Sequence, residues 1–339
     1  MAYLSDLDPL DSRREQKLED LRKRAEAEAR LQIVPPAAPG HFPQATPESG
    51  YYGIPLLKKP PWTWEIPLYF FVGGAAGASA VIAAIADLTG ADRELVRHAR
   101  WIAASGAVIS PALLIADLGR PERFLAMLRV FKPQSPMSVG VWTLLGFSSG
   151  AASVAFADFL IDRYGPSFPV RVLRNAGQAA SLAFGLPFSN YTGVLIGATA
   201  IPVWNRSAGE LPLHFAASGL GAAVGILELM GHRKNRALQA LGLGAAMFEV
   251  WEGFRVESRF HPDLDPLKHG ASGWITRTGG LLSGPIPALL RVGAVIGRNG
   301  SNKRSLELRR WAAWSAIAGS LLTRFAWMQA GRESAGRNR

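Results

Sequence analysis

The chain has 339 residues, of which 48% are hydrophobic and 19% are charged, and its 37 basic and 26 acidic side chains give a net charge of +11. The basic residues lie at the ends of long apolar runs, where they can contact lipid headgroups. In a nucleic-acid-binding protein they would cluster on the surface of a soluble fold. Composition therefore indicates a membrane protein with basic loops and argues against a nucleic-acid partner. Because it has no cysteine, the chain has no disulfide, no thiolate zinc site and no iron–sulfur cluster of its own.

The N-terminal region divides into two parts ahead of the membrane domain. Residues 1–32 are rich in Glu, Arg, Lys and Ala and predict an exposed amphipathic helix or, equally well, a solvated disordered tail. Residues 33–61 carry eight prolines and predict a semi-rigid linker of polyproline character. The first residues lack the apolar core of a secretory signal, so we expect the first spanning helix to direct insertion. The transmembrane helical domain is predicted at 62–330, followed by a basic tail at 331–339.

Hydropathy and flanking charge predict an all-α integral membrane protein, a bundle of about eight transmembrane helices. The predicted spans are 66–87, 99–118, 139–161, 176–201, 211–229, 237–256, 279–297 and 308–330. The seventh is the weakest of these, because its glycines and prolines favour a break. An even number of spans puts both termini on one side of the membrane, here named face A; the other side is face B.

The loops at the two faces differ in length and charge. Those at face B are short and basic, and the positive-inside rule then favours face B as cytoplasmic: 88–98, 162–175, 230–236 and 298–307. The connector 119–138 at face A is basic as well, and an outside face A requires the hydrophilic N-terminal region to cross the membrane without a signal. On balance the sequence favours, weakly, an N-terminus outside the cytoplasm.

The connector at 116–138 places four basic residues and three prolines between two long apolar runs. Gly119 and Pro121 are predicted to end the incoming helix, which leaves Asp117 at the membrane boundary. The apolar residues that follow lie on a largely common side of a short helix, which suits a segment lying in the membrane interface. The simpler alternative is an anchoring loop whose arginines meet lipid phosphates.

Ionisable residues inside a bilayer are costly, so each one in a predicted span is a functional candidate. Helix direction places most of them towards face A: Glu65, Asp117, His214, Glu249, Glu252, Arg255 and Arg324. The last acidic pair and Arg255 are spaced three residues apart on one helix face. This spacing fits either an acid–base site or a helix-end salt bridge that stabilises the bundle.

Fewer polar groups lie deeper in the predicted spans. Asn190 and Tyr191 follow Pro187 in the fourth span, which is predicted to kink and to line something polar. Three more residues fit either a proton path across the membrane or interfacial caps: Asp158, Glu228 and Arg291.

The positions of the histidines indicate whether the chain can ligate a haem. Bis-histidine ligation of a b-type haem requires paired histidines at membrane depth on facing helices. His214 alone lies at such a depth, and the other histidines are in tails or loops. The sequence also lacks a phosphate-binding glycine loop and a zinc-helix motif. We therefore expect no haem and no metal in this chain.

Several short motifs resemble the NrfD/polysulfide-reductase membrane-subunit family, over roughly residues 50–330. The most specific is the connector, with its Asp-Leu-Gly-Arg-Pro sequence at 117–121. The other matching stretches are Tyr51-Tyr52-Gly53-x-Pro55-x-Leu57-Lys58, Trp62, Tyr69-Phe70-Phe71-x-Gly73-Gly74-x-x-Gly77, Arg123-Phe124, Lys132-Pro133, Ser135-Pro136-Met137-Ser138 and Tyr191-Thr192-Gly193.

The resemblance implies a haem-free, multi-pass subunit of a respiratory oxidoreductase complex in the inner membrane of a prokaryotic cell. Such subunits bind menaquinone or ubiquinone near one face. There they exchange electrons with a four-cluster, ferredoxin-like iron–sulfur subunit, which connects to a catalytic subunit, often a molybdopterin enzyme. A subunit of this kind is not catalytic by itself. The alternatives are a structural membrane anchor without a quinone site and a secondary transporter.

The resemblance also suggests roles for particular residues. Tyr191, with Asn190, is expected to contact the quinone headgroup, and the carboxylates of Asp117, Glu249 and Glu252 are expected to transfer protons. Arg120 is expected to orient the connector, steer the partner or stabilise a reduced anionic quinone, as is Arg123. In relatives a histidine near the start of the first span helps to bind the headgroup, whereas this chain has Trp62-Thr63-Trp64-Glu65-Ile66-Pro67 there. Glu65 or His214 is the expected substitute.

Overall fold

The computed structural model describes residues 19, 20, 23, 57–120, 122–296 and 303–336. All regular structure in these residues is helical, which confirms the predicted all-α class. Most of the predicted N-terminal tail and of the proline-rich linker lies outside the described residues, as does Pro121, so their predicted structure stays a prediction.

The helices are numbered in chain order within the described residues. They are α1 Glu65–Leu88, α2 Arg93–Asp117, α3 Glu122–Met127, α4 Pro136–Tyr164, α5 Phe168–Gly197, α6 Pro202–Arg206, α7 Leu211–Leu227, α8 Arg236–Ser258, α9 Asp265–Lys268, α10 Gly270–Ser283, α11 Pro285–Ile296 and α12 Lys303–Gly336. A π-helical turn, Glu228–His232, continues α7, and a 3-10 turn, Pro262–Leu264, precedes α9.

Six stretches of the described chain are long and apolar enough to cross a membrane: α1, α2, α4, α5, α7 with its π-helical turn, and α10 with α11. The predicted sixth and eighth spans fall on α8 and α12, which are long helices of 23 and 34 residues but are not among the six. Both carry several charged side chains, which lower their mean hydropathy. The chain is therefore a multi-pass membrane protein.

The seventh predicted span is broken between α10 and α11. Gly284 leaves the helical conformation there, with φ −109° and ψ −89°, and Pro285 and Pro287 offer no N–H to the ladder. The hydroxyl of Ser315 donates to the carbonyl of Leu282 at 2.7 Å. A break at membrane depth is tolerated where a neighbouring helix satisfies the freed backbone in this way. In contrast, α5 continues through Pro187.

The long helices form two groups along the chain. The first group, α1, α2, α4 and α5, packs as one bundle, and the second, α7, α8, α10, α11 and α12, packs as another. Helix α7 lies between them, because it packs against α1 and α5 as extensively as against α8 and α12, and α12 also contacts α1. A Cβ placed on Gly219 of α7 would lie 2.9 Å from the backbone of Gly74 in α1. Only a residue without a side chain permits this approach, as is common where membrane helices meet.

The connector between α2 and α4 turns sharply and then exposes its apolar side chains. Gly119 has φ +68°, the left-handed conformation that glycine adopts at low cost, so the predicted end of the helix at this residue is confirmed. The short helix α3 buries none of its residues, and Leu125 and Phe131 are 66% and 55% exposed. Ser135 then caps α4 by accepting a hydrogen bond from the N–H of Ser138.

Candidate functional site

A large cavity among the described residues lies in the second bundle, towards face A, and is named the glutamate cavity. It has a volume of about 410 Å³ and is lined mainly by apolar side chains. Its buried polar lining comes from the first turn of α7, the later turns of α8 and the middle of α12: His214, Glu249, Glu252 and Thr323. Three less buried polar residues also line it: Glu257, Thr276 and Arg277. Three of the predicted site residues therefore lie together, as helix direction predicted.

Glu249 and Glu252 face the cavity because a spacing of three residues places both on one side of α8. Each is 3% exposed. The hydroxyl of Ser283, at the break between α10 and α11, donates to Oε2 of Glu249 at 2.9 Å. The Nδ1 atom of His214 lies 3.5 Å from Oε1 of Glu249, close enough for charge attraction but without the geometry of a hydrogen bond.

Several polar atoms of the glutamate cavity have no hydrogen-bond partner among the described residues. They are Nδ1 of His214, Oε1 of Glu249, Oε2 of Glu252 and Oγ1 of Thr323. Buried polar groups in native proteins are almost always bonded, and a group without a partner costs about 1–3 kcal/mol. Four such atoms around one cavity indicate a place where a polar ligand or water completes the bonding.

Arg324 lies behind the cavity wall and is fully buried, with 0% exposure. Its guanidinium donates to the carbonyl of Phe215 at 2.8 Å and to the hydroxyl of Ser218, and its Cζ lies 4.7 Å from the centroid of the Phe215 ring. Its bonds therefore go to neutral groups. The full positive charge remains near the glutamates, where it favours negative charge in the cavity.

Arg255 continues the row of Glu249 and Glu252 but turns away from them. Its Nη2 lies 2.8 Å from Oε1 of Glu210, which also binds Arg259 at 2.5 Å. The helix-end ion pair that the spacing allowed is therefore made with Glu210, a residue that the sequence analysis did not single out. Because Arg255 is engaged elsewhere, the two glutamates face the cavity without it.

Tyr191 and Asn190 lie in a different cavity, in the first bundle. This connector cavity has a volume of about 300 Å³ and is lined by Pro133, Gln134 and Pro136 as well as by these two residues. The hydroxyl of Tyr191 donates to the carbonyl of Pro136. Tyr191 thus fastens α5 to the first turn of α4, and its donor already has a partner.

Asp117 and Glu65 meet at the ends of α2 and α1. Oδ1 of Asp117 accepts from the N–H of Thr63 at 3.2 Å and lies 3.3 Å from its hydroxyl, which donates to Glu65. Both acids are partly buried, and neither lines the two cavities described above. The side chain of Arg120 is exposed. The predicted site residues are therefore distributed over three places near face A.

Several charged residues towards face B form ion pairs. The guanidinium of Arg100 contacts Asp87 at 2.8 Å, Asp158 at 3.2 Å and Gln178 at 3.0 Å. Glu228 and Arg291 form a second pair, in the other bundle. Among the described residues, no group of three or more His, Cys, Asp or Glu side chains is arranged to hold a metal ion.

Sequence analysis missed Ser283 and Thr323 as site residues. The sequence around each residue could have pointed to it. Ser283 stands directly before the glycine and proline that break its span, and Thr323 precedes Arg324 in a predicted span. It also missed Arg100, because the predicted second span begins next to it and a basic residue at a span end is common.

The architecture defines a polytopic membrane protein with two helical bundles and buried ionisable groups near one face. The family model of NrfD, polysulphide reductase, matches residues 56–249, which is more than half of the chain, and the chain belongs to this family. The resemblance found in the connector and first-span motifs is thereby confirmed. A comparison with curated protein sequences gives no match. The matched segment ends at Glu249, so helices α10 to α12 lie beyond it.

Proposed function

We propose that this chain is the quinone-binding membrane subunit of a prokaryotic respiratory oxidoreductase complex, and that the glutamate cavity binds the quinone headgroup. One observation carries the proposal, namely the four buried polar atoms without partners around a largely apolar cavity. Family membership supports a role in such a complex. Ligand sites generally combine a mostly apolar lining with a few convergent polar groups.

The cavity fits the needs of a quinone headgroup and its tail. The bound quinone, menaquinone or ubiquinone, supplies two-electron chemistry coupled to two protons. His214 and Thr323 are the donors suited to its oxygen atoms, and Glu249 and Glu252 are the carboxylates suited to holding or releasing the protons. Phe254 and Leu281 line the cavity and are 77% and 52% exposed, which gives an apolar route for the tail towards lipid.

Electrons require a second subunit. The chain has no cysteine, so iron–sulfur clusters must belong to a partner. We propose that a four-cluster, ferredoxin-like subunit docks at face A and connects to a catalytic, molybdopterin-type subunit. The cavity and the exposed connector both lie towards this face, which keeps the headgroup near the docking side.

The test uses the intact complex and measures quinone-dependent reduction or oxidation of the partner clusters by their absorbance. Glu249→Gln should lower the rate roughly 10²-fold or more, because it removes a proton-transfer group while keeping its size. Glu307→Gln is the matched control, since Glu307 is 55% exposed on α12 and lies outside the cavity. Copurification of the partner subunits verifies assembly of each variant.

Tyr191→Phe provides a second arm of the same experiment, because the sequence analysis placed the headgroup at Tyr191. We expect it to leave the quinone-dependent rate within about twofold, since its hydroxyl already donates to Pro136. If the quinone-dependent rate is lost only in Tyr191→Phe, the headgroup binds in the connector cavity and not in the glutamate cavity. An unchanged rate in both variants would indicate that the chain is a structural membrane anchor without a quinone site.

A further inference from the structure

The Glu228–Arg291 pair lies in the interior of the second bundle towards face B. Two hydrogen bonds join the guanidinium to both carboxylate oxygens, at 2.6 and 2.8 Å, and the residues are 0% and 3% exposed. Arg309 of α12 lies nearby and is 5% exposed. One buried carboxylate therefore stands beside two buried arginines. Buried charges are normally balanced, so the excess positive charge calls for an anion.

A cavity of about 200 Å³, named the arginine cavity, opens beside this pair. Its lining consists of Arg236, Gln239, Ala240, Leu243, Arg291, Val295 and Arg309. Three of these side chains are cationic and none is acidic. The Nε atom of Arg291 is buried and has no hydrogen-bond partner among the described residues. The lining thus carries excess positive charge, and one of its arginines has a donor without a partner.

The polar groups around the cavity are held in place by the turn between α7 and α8. The carbonyl of Arg233 accepts from Nη1 of Arg309 at 3.0 Å and from Nε2 of Gln239 at 2.9 Å. A Cβ on Gly242 would fall 2.5 Å from Cζ of Arg291, so the bare helix surface lets this guanidinium lie against α8. Arg291 and Arg309 are therefore fixed before any ligand arrives, which lowers the entropic cost of binding.

We propose that the arginine cavity binds a phosphate group, and that the membrane supplies it as the headgroup of an anionic phospholipid. Guanidinium groups bind phosphate oxygens through short charge-assisted hydrogen bonds. Basic pockets between membrane helices are known to hold anionic lipid headgroups. Val295 lines the cavity and is 66% exposed, and Leu243 is partly exposed, so an acyl chain can leave the cavity along an apolar surface.

The test is a titration of the purified full chain in detergent with phosphatidylglycerol, followed by native mass spectrometry. Phosphatidylcholine, which has no net charge, and inorganic phosphate, which has no acyl chain, form parallel arms. Arg236→Gln and Arg309→Gln remove one lining charge each, and Arg310→Gln is the matched control because its side chain is 54% exposed and lies outside the lining. Arg236 is exposed, so its replacement tests binding without disturbing the core.

We expect phosphatidylglycerol to bind the parent chain and Arg310→Gln equally, with affinity lower on the order of tenfold in each cavity variant. Phosphatidylcholine should bind more weakly than phosphatidylglycerol and should not distinguish the variants. Equal phosphatidylglycerol affinity in Arg236→Gln, Arg309→Gln and the parent chain would overturn the proposal. If millimolar inorganic phosphate displaces the lipid and its binding depends on the same arginines, the lipid is not the source of the bound phosphate group.

Discussion

The predicted site residues of the two bundles differ in their hydrogen bonding, although each bundle also holds other buried polar atoms without partners among the described residues, such as the hydroxyls of Ser79 and Ser110 in the first. In the first bundle the hydroxyl of Tyr191 bonds to Pro136, and Asp117 accepts from Thr63. In the second bundle Glu249 and Glu252 each leave a carboxylate oxygen without a partner beside a cavity. A polar residue at membrane depth is therefore a weak sign of a binding site, because it often serves the fold. Several unbonded polar atoms around one cavity are a stronger sign.

The same contrast holds towards face B. In the first bundle Arg100 contacts two carboxylates, those of Asp87 and Asp158, together with the amide of Gln178. In the second bundle Arg291 and Arg309 stand near one carboxylate, that of Glu228. The first arrangement has more carboxylates than arginines, whereas the second has more arginines than carboxylates and therefore carries excess positive charge.

The largest effect expected from this contrast concerns the two ion-pair networks. Glu228→Gln should cost about 3–5 kcal/mol of stability, because it leaves Arg291 buried without its carboxylate. Asp158→Asn, the matched change in the first bundle, should cost at most about 1 kcal/mol, because Arg100 retains Asp87 and Asp158 is partly exposed. Thermal unfolding in detergent measures both. Equal losses would show that the bundles do not differ in this respect.

The next effect concerns the seam between the bundles. Gly219→Ala should cost about 1–3 kcal/mol, because its new methyl group meets the backbone of Gly74. Gly244→Ala, on α8, is the control, since nothing lies within 4 Å of a Cβ there and alanine favours a helix by up to about 1 kcal/mol. A lower unfolding temperature for Gly219→Ala and a higher one for Gly244→Ala would support the close packing of α7 on α1. An unchanged unfolding temperature for Gly219→Ala would contradict it.

A smaller effect is expected at Tyr191. Tyr191→Phe should cost about 1 kcal/mol, because the carbonyl of Pro136 loses its donor while the ring keeps its packing. Thr143→Val, in the lining of the same cavity, serves as the comparison. The free energy of unfolding in detergent is the measurement, and a loss no greater than that of Thr143→Val would argue against a structural role for the hydroxyl.

The smallest effect is expected at Asp117. Asp117→Asn should change stability by less than about 1 kcal/mol, because the amide oxygen still accepts from Thr63 and the side chain is only partly buried. A proton-transfer role of Asp117, which the sequence analysis predicted, would show instead in the quinone-dependent rate of the complex. A fall in that rate with unchanged stability would favour such a role over a purely structural one.

Sequence alone was sufficient for the fold class and the family. The direction of each span placed His214, Glu249 and Glu252 towards the same face, and they do line one cavity. Depth does not specify position around the bundle, however, because hydropathy carries no information on which helices are neighbours. Tyr191 was therefore grouped with the glutamates although it lies in the other bundle.

Side-chain pairing was also beyond the reach of the sequence. The spacing of Glu252 and Arg255 allowed a pair on one helix, but Glu210 lies at the start of α7 and draws Arg255 away. Tertiary contacts of this kind override an intrahelical pair that contributes only about 0.2–0.5 kcal/mol. The same limit explains why the partners of Arg100, which come from three helices, were not foreseen.

The break at Gly284 has a mechanical consequence. A continuous helix transmits a push along its axis, but two prolines and a non-helical glycine interrupt the backbone ladder between α10 and α11. Helix α10 lines the glutamate cavity, and α11 carries Arg291 of the arginine cavity. Helices α10 and α11 are therefore not rigidly coupled along the span, and a displacement of one at its own membrane surface need not shift the other helix.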